Sequence, residues 1–262
     1  MRVISSSSIV QAESMLEANN LSVIRSGKIV LEDVNFQIKE GEFVGIVGPN
    51  GGGKSTLLLT ILGILSPAKG DVKVFGHNPQ FVNFNGKVGW VSQDAASIPT
   101  KMRMTVRELI SLGTISSKNL FSFRRGKESS AVEDAIKLVG LEDLAEADIG
   151  RLSGGQRQRA VIGRALASNA ELLIFDEPLV NVDRSARNGI LKLLDDLCHN
   201  ENKTLLMVSH DLTAIRQSAH RIVYLDGQVQ FDGQPSDIPN LSGLAGLIGL
   251  EHVHSHAHKE ED

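Results

Sequence analysis

The string GPNGGGKST, Gly48–Thr56, fits the spacing G-x-x-x-x-G-K-[ST] in full. Such a run places chemistry in the backbone as well as in side chains. With Gly48, Pro49, Asn50, Gly51, Gly52 and Gly53 forming the curve, successive N–H groups can wrap phosphate oxygens, and the start of a following helix adds favourable partial charge. Lys54 can reach the β- and γ-phosphates of a nucleotide, Ser55 can offer its hydroxyl to Mg²⁺, and Thr56 can bond a further phosphate oxygen. A plain glycine turn before a helix would need neither the Lys-Ser pair nor the apolar run EFVGIVG in front of it.

Two further strings extend that chemistry. LLIFDE, Leu172–Glu177, is an apolar strand ending in two carboxylates. Neighbouring strand residues point to opposite sides. Asp176 can therefore serve the Mg²⁺ shell while Glu177 takes a separate place at an attacking water. LSGGQRQR, Leu152–Arg159, sets a serine and two glycines at a helix start. That makes a second anion-binding N-terminus, which the first loop does not need and which points to two chains sharing nucleotides. As an isolated string it would pass for an ordinary helix cap.

These residues need a scaffold, and the pattern of the chain supplies one. Short β-rich runs (LSVI, VNFQI, EFVGIVG) precede the glycine loop, and an apolar helix is expected over Thr56–Leu65. DVKVFG and KVGWVS add strands. From Asp94 to about Arg159 the pattern turns helical. The S/T-x-x-E boxes at Thr105–Glu108 and Ser130–Glu133 are expected to open two helices, with KNLFSFRRGKE between them as an exposed loop. Strand and helix then alternate again: LLIFD, a helix over Arg184–His199, TLLMVS and a helix from about Leu212. A hairpin follows, turning at Asp226-Gly227. This pattern predicts a parallel α/β core interrupted by a helical insertion.

Composition narrows the function classes. A formal net charge of −4 and only 4% aromatic residues argue against a nucleic-acid binder, which needs a basic face or stacking platform. Cys198 is the one cysteine, so neither an intrachain disulfide nor a cysteine zinc cage can form. The run LLLTILGIL falls well short of the ~20 residues of a membrane span, so a membrane role requires a partner subunit. Residues 1–14, with four serines where a signal peptide needs apolar residues, are expected to be disordered.

Over roughly residues 16–235 the chain resembles the nucleotide-binding subunits of the ATP-binding-cassette (ABC) family. The motifs stand in the family's order: the phosphate loop, Gln93 in VSQD, LSGGQ, the acidic strand, a loop ending at Asp183, and His210 in VSHD. The resemblance implies a P-loop NTPase fold, a RecA-like parallel sheet plus an antiparallel β subdomain, with an α-helical subdomain inserted at about 94–159. It implies an ATPase domain over 15–238 and an extension over 239–262, with ATP and Mg²⁺ as cofactors. Two cassettes would dimerise head to tail, so that Ser153, Gly154, Gly155 and Gln156 face the nucleotide held by the partner's phosphate loop. Gln93 would approach Mg²⁺ and link the nucleotide to the helical lobe, and His210 would bond the γ-phosphate and hold Glu177 in place. Arg25 stands where the family usually has an aromatic residue stacked on adenine, and a guanidinium can also stack on a flat ring. Asn181, in EPLVNVD, replaces a residue that is commonly smaller.

Within the family, VGWVSQ, MTVRELISLGT and MVSHDL look most like ATPases of manganese, zinc or iron uptake systems. That resemblance implies an integral-membrane permease, an extracytoplasmic metal-binding protein and a place at the cytoplasmic face of the membrane. An importer of a metal chelate or siderophore, or a soluble cassette such as one for iron–sulfur assembly, is the alternative. The tail EHVHSHAHKEED carries His252, His254, His256 and His258 at alternate positions. Imidazoles so spaced can chelate Zn²⁺, and Mn²⁺ less well. An inert solvated end is the competing reading, and the broken spacing argues against a purification tag.

Overall fold

A computed structural model describes residues 14–84, 86–97, 103–115, 125–180 and 182–238, with backbone alone for 125–129. The tail histidines, Asn181 and residues 1–13 lie outside that set; Ser14 is already the first residue of a strand.

Two sheets form the scaffold. The smaller is antiparallel, in the order β2-β1-β4, from β1 (Ser14–Arg25), β2 (Lys28–Lys39) and β4 (Lys69–Val74). The larger runs β5-β6-β7-β3-β8-β9. It joins β3 (Phe43–Val47), β5 (Val88–Val91), β6 (Leu172–Asp176), β7 (Thr204–Val208) and β8 (Arg221–Asp226) in parallel, with β9 (Gln228–Gly233) closing one edge antiparallel. Strands β3 and β7 are buried at every position, and β6 at every position but its last. They read as continuous apolar runs because both faces of a parallel sheet are covered.

The strand period of two sorts those residues between two cores. Leu172, Ile174, Leu206 and Val208 face the side where α1 (Lys54–Ile61) and the antiparallel sheet pack. Leu173, Phe175, Leu205 and Met207 face the side covered by α4 (Gly154–Ala167), α5 (Arg184–Glu201) and α6 (Leu212–Ser218). Truncating a ring as buried as Phe175 would cost about 3–5 kcal/mol. Helix α1 is shorter than the expected Thr56–Leu65. It begins at Lys54, its main run ends at Ile61, and the chain turns at Gly63, whose φ is 73°.

The helical lobe comprises α2 (Val106–Ser111), α3 (Arg125–Leu138) and the first half of α4. Thr105 opens α2 with the expected reciprocal box: its hydroxyl accepts the Glu108 N–H at 3.1 Å, while Glu108 accepts the Thr105 N–H at 2.8 Å. The second box is a correction. Helix α3 starts at Arg125, so Ser130 sits inside it rather than at its cap, and the last residues of KNLFSFRRGKE are helical. A Ser-x-x-Glu pattern is only a local option, and here helix continues through it. Ile110, Val132, Ile136, Val139 and Ile162 fill the lobe's interior. Arg107 ties its edge to Glu133 and, at 2.5 Å, to Glu146. Helix α4 runs past Arg159 to Ala167, where Ala165, Leu166 and Ala167 join the core beside β6. One unbroken helix thus links the lobe to the sheet.

Candidate functional site

The C-terminal ends of β3, β6 and β7 open onto one cleft of about 610 Å³. Its walls bring together Arg25, Asn50, Gly51, Gly53, Lys54, Ser55, Thr56, Gln93, Asp176, Glu177 and His210. Residues from five separate segments therefore meet, as their chemistry requires.

Gly53 makes the hinge between loop and helix. It caps α1 at φ 93°, and a Cβ there would collide with the Leu31 side chain, so both backbone and space call for glycine. Lys54 Nζ donates to the carbonyls of Gly48 and Pro49, each at 2.8 Å, which braces the loop. Burial pushes the Lys54 ammonium below its ordinary pKa, opposed by the carboxylates of Glu177, Asp176 and Asp226. Ser55 is exposed to the cleft, whereas Thr56 is buried and its carbonyl accepts the Thr60 hydroxyl at 2.8 Å.

Asp176 and Glu177 both line the cleft, and their surroundings differ because of a backbone turn rather than strand alternation, since the strand ends at Asp176. Asp176 ends β6, while Glu177 takes the left-handed conformation with φ 51° and donates its N–H to Val208 O at 2.9 Å. Burial holds the Asp176 carboxyl above its ordinary pKa, helped by the adjacent Glu177 charge and opposed by Lys54. Its Oδ1 is buried with no hydrogen-bond partner among the described residues. A buried carboxylate oxygen with no donor is the kind of group a hard cation satisfies. With the Ser55 hydroxyl and the Gln93 amide on the same cleft, the donor set is all oxygen, which suits Mg²⁺.

Glu177 has a different partner. His210 Nδ1 lies 2.9 Å from Glu177 Oε2, with the ring 62% exposed and the carboxylate only 12% exposed. With Nδ1 donating, the ring holds the carboxylate and leaves Nε2 facing outward. Asp211, next in sequence, caps α6 and pairs with Arg187 of α5 at 2.6 Å, which steadies the turn that carries His210.

Ser153, Gly154, Gly155 and Gln156 are absent from the cleft. They open α4, where Ser153 Oγ accepts the Gln156 N–H at 3.2 Å and Gln156 Oε1 accepts the Ser153 N–H at 2.9 Å. Gly155 lies so close to α5 that a Cβ would collide with Ala186. Asp183 caps α5, accepting from Ser185 and Ala186. These hydrogen bonds, that from the Ala186 N–H foremost, hold its carboxyl below its ordinary pKa.

Sequence reading missed the cleft's apolar wall, Val30, Val180 and Val208, because an isolated valine carries no motif. Arg25 does border the cleft, at the end of β1 just before the Ser26-Gly27 hairpin turn.

A strand–glycine loop–helix unit facing an acidic strand end defines a nucleotide-hydrolysing P-loop fold. The sequence pattern of the ABC transporter family matches residues 31–180, and the chain belongs to that family and is an ATPase. The zinc uptake system ATP-binding protein ZurA of Listeria monocytogenes is 38% identical over 221 residues, 84% of this chain and 86% of its own length. The manganese transport system ATP-binding protein MntB of Bacillus subtilis is 35% identical, covering 75% of this chain and 77% of its own. Among solved structures, a dimeric ATP-binding cassette in a post-hydrolysis state bound to ADP and Pi superposes with a TM-score of 0.69 at 32% identity. That match covers 84% of this chain and 99% of the other. CbiO1 from Clostridium perfringens, part of the ABC transporter complex cbiONQ, gives a TM-score of 0.79 at 25% identity, over 91% and 96% of the two chains.

Proposed function

We propose that this chain is the ATP-hydrolysing motor of an ABC importer for a transition-metal ion, with zinc or manganese as cargo. The observation that carries the motor reading is the meeting of Lys54, Asp176 and the His210-bonded Glu177 on one cleft. Zinc and manganese are the cargoes named for the ZurA and MntB relatives.

In this reading the loop N–H groups and Lys54 grip the β- and γ-phosphates. Ser55 and Asp176, with Gln93 nearby, would hold Mg²⁺, which would supply neutralisation of the phosphate charge. Glu177 positions the attacking water and takes up its proton, and His210 keeps the carboxylate aimed. Arg25, which borders the cleft, would stack its guanidinium on the base. Gln93, between the cleft and the helical lobe, reports the state of the nucleotide to that lobe and to the permease seated on it. Ser153, Gly154, Gly155 and Gln156 serve the nucleotide of a second copy, because in their own chain they stand away from the cleft. The dimer sits at the cytoplasmic face of the membrane through permease subunits and works with an extracytoplasmic metal-binding protein. No helix among the described residues is long and apolar enough to cross a membrane. The tail histidines, His252, His254, His256 and His258, act as a reversible metal-binding end.

Uptake of radioactive Zn²⁺ and Mn²⁺ into cells carrying this chain with its permease tests the reading. Wild type should accumulate one of the two, and Glu177→Gln should not. A ferric siderophore accumulated in their place would favour the alternative cargo. FepC of Escherichia coli, a ferric enterobactin transport ATP-binding protein, is 32% identical over 92% of this chain. Equal uptake of all cargoes by wild type and Glu177→Gln would remove the motor role.

A further inference from the structure

At the end of the central sheet opposite the nucleotide cleft, where the parallel strands begin, the last turns of α5 meet the segment entering β8. Asp195, His199 and His220 come together there, and one donor atom from each lies within 4.8 Å of the others. The two rings stand edge to face with centroids 4.9 Å apart. His199 Nδ1 lies 3.2 Å from Asp195 Oδ1 and 3.1 Å from the Asp195 carbonyl oxygen. Two ligands of one tetrahedral ion stand about 3.3 Å apart at bonds of about 2.0–2.1 Å, so with its proton on Nε2 the His199 ring can share an ion with Asp195 through Nδ1. His220 is fixed from a different element. Its N–H donates to Phe43 O at 2.8 Å, and its Nδ1 accepts the Phe43 N–H at 3.3 Å. Burial, and then the neighbouring His199 ring, hold His220 below the ordinary imidazole pKa. A neutral ring is what a metal needs.

We propose that Asp195, His199 and His220 form a binding site for a borderline divalent metal of the Zn²⁺ class, separate from the nucleotide site. Two imidazoles and one carboxylate are a donor set for Zn²⁺ rather than for Mg²⁺ or Ca²⁺, and three protein ligands leave a fourth position for water. Metal–ligand bonds of about 2.0–2.2 Å require the donors to close by roughly an ångström. The exposed His199 and the half-buried Asp195 can make that movement. Ligation by His220 costs the Phe43 N–H contact, either directly at Nδ1 or by moving the ring proton there to free Nε2. The site is therefore of modest affinity. An ordinary i,i+4 pair at a helix end accounts for Asp195 and His199 but leaves the approach of His220 from another element unexplained.

Neighbouring groups are already committed. Glu42 is held by Arg221 at 2.6 Å. The Cys198 thiol donates to Gly41 O at 3.1 Å, and burial pushes its pKa up to about 11, so it stays protonated. A metal here would pin the end of α5 to the start of β3 at Phe43, from which the strand runs to the phosphate loop. The site is independent of the cargo: Zn²⁺ can bind it whatever the transporter carries.

The test uses the full chain with His252, His254, His256 and His258 all changed to alanine, so that of the eight histidines only His77, His199, His210 and His220 remain. Calorimetry with Zn²⁺, without nucleotide, should give one equivalent bound. Co²⁺ should give the intense visible absorption of a four-coordinate site. His199→Ala and Asp195→Asn in that background should each weaken binding at least tenfold with basal ATPase unchanged, while His210→Ala should leave the isotherm as it was. No binding in the background protein would overturn the proposal. So would an isotherm indifferent to His199→Ala, loss of binding in His210→Ala alone, or the weak absorption of six-coordinate Co²⁺.

Discussion

Replacing His210 by alanine isolates the contact on which the hydrolysis reading depends most. Its Nδ1 is 2.9 Å from Glu177 Oε2, inside a cleft where the carboxylate is 12% exposed and the ring 62% exposed. A hydrogen bond to a charged group contributes about 1.5–3 kcal/mol, and the exposure of this ring puts it at the low end. If the bond serves to aim Glu177, its loss appears in kcat at one decade per about 1.4 kcal/mol, roughly a ten- to thirtyfold fall. The exposed ring supports little packing, so the melting temperature should stay within about a degree. The assay is single-turnover hydrolysis at saturating ATP·Mg²⁺ in wild type, His210→Ala, Glu177→Gln and the double variant. A histidine acting only through Glu177 predicts no further loss when His210→Ala is added to Glu177→Gln. Independent, multiplying losses would refute that reasoning and assign His210 a direct contact with the nucleotide.

Glu177→Gln should bind ATP, hydrolyse it very slowly and elute as a stable dimer with ATP·Mg²⁺; a monomer at high ATP would contradict a site shared between copies. Lys54→Ala should lose tight nucleotide binding, measured by equilibrium dialysis. Arg25→Ala should raise KM for ATP about two- to thirtyfold, the reach of a stacked guanidinium, and Arg25→Tyr should restore it; unchanged kinetics in both variants would place the base elsewhere. Asp176→Asn should abolish Mg²⁺-dependent hydrolysis yet raise the melting temperature at pH 7.5. Burial raises the folded pKa of Asp176 above its unfolded value, so its ionisation opposes folding in full above the folded pKa, and that penalty fades as pH falls from there to the unfolded pKa. The stabilisation should therefore fade in melts taken at falling pH, and a gain constant across pH would count against a buried charge at this position.

The phosphate loop, the acidic strand end and LSGGQ were legible in the sequence because each needs particular residue types at short, fixed spacing. So was the parallel core, since a strand covered on both faces can only be an apolar run such as LLIF or TLLMV. The capping box at Thr105 was equally readable, being complete within four residues. The same pattern at Ser130 failed, because whether a helix starts at a serine or runs through it depends on what packs around it. Tertiary structure alone decided that Asp176 would have a buried oxygen with no partner, and that Glu177 would turn into a left-handed conformation and meet His210, 33 residues away. It alone placed Val30, Val180 and Val208 on the nucleotide wall and turned LSGGQ away from its own chain's cleft. The gathering of Asp195, His199 and His220 belongs to the same class. Local spacing encodes a turn or a cap; an encounter between distant segments is set by how sheet and helices pack, and no short string carries that information.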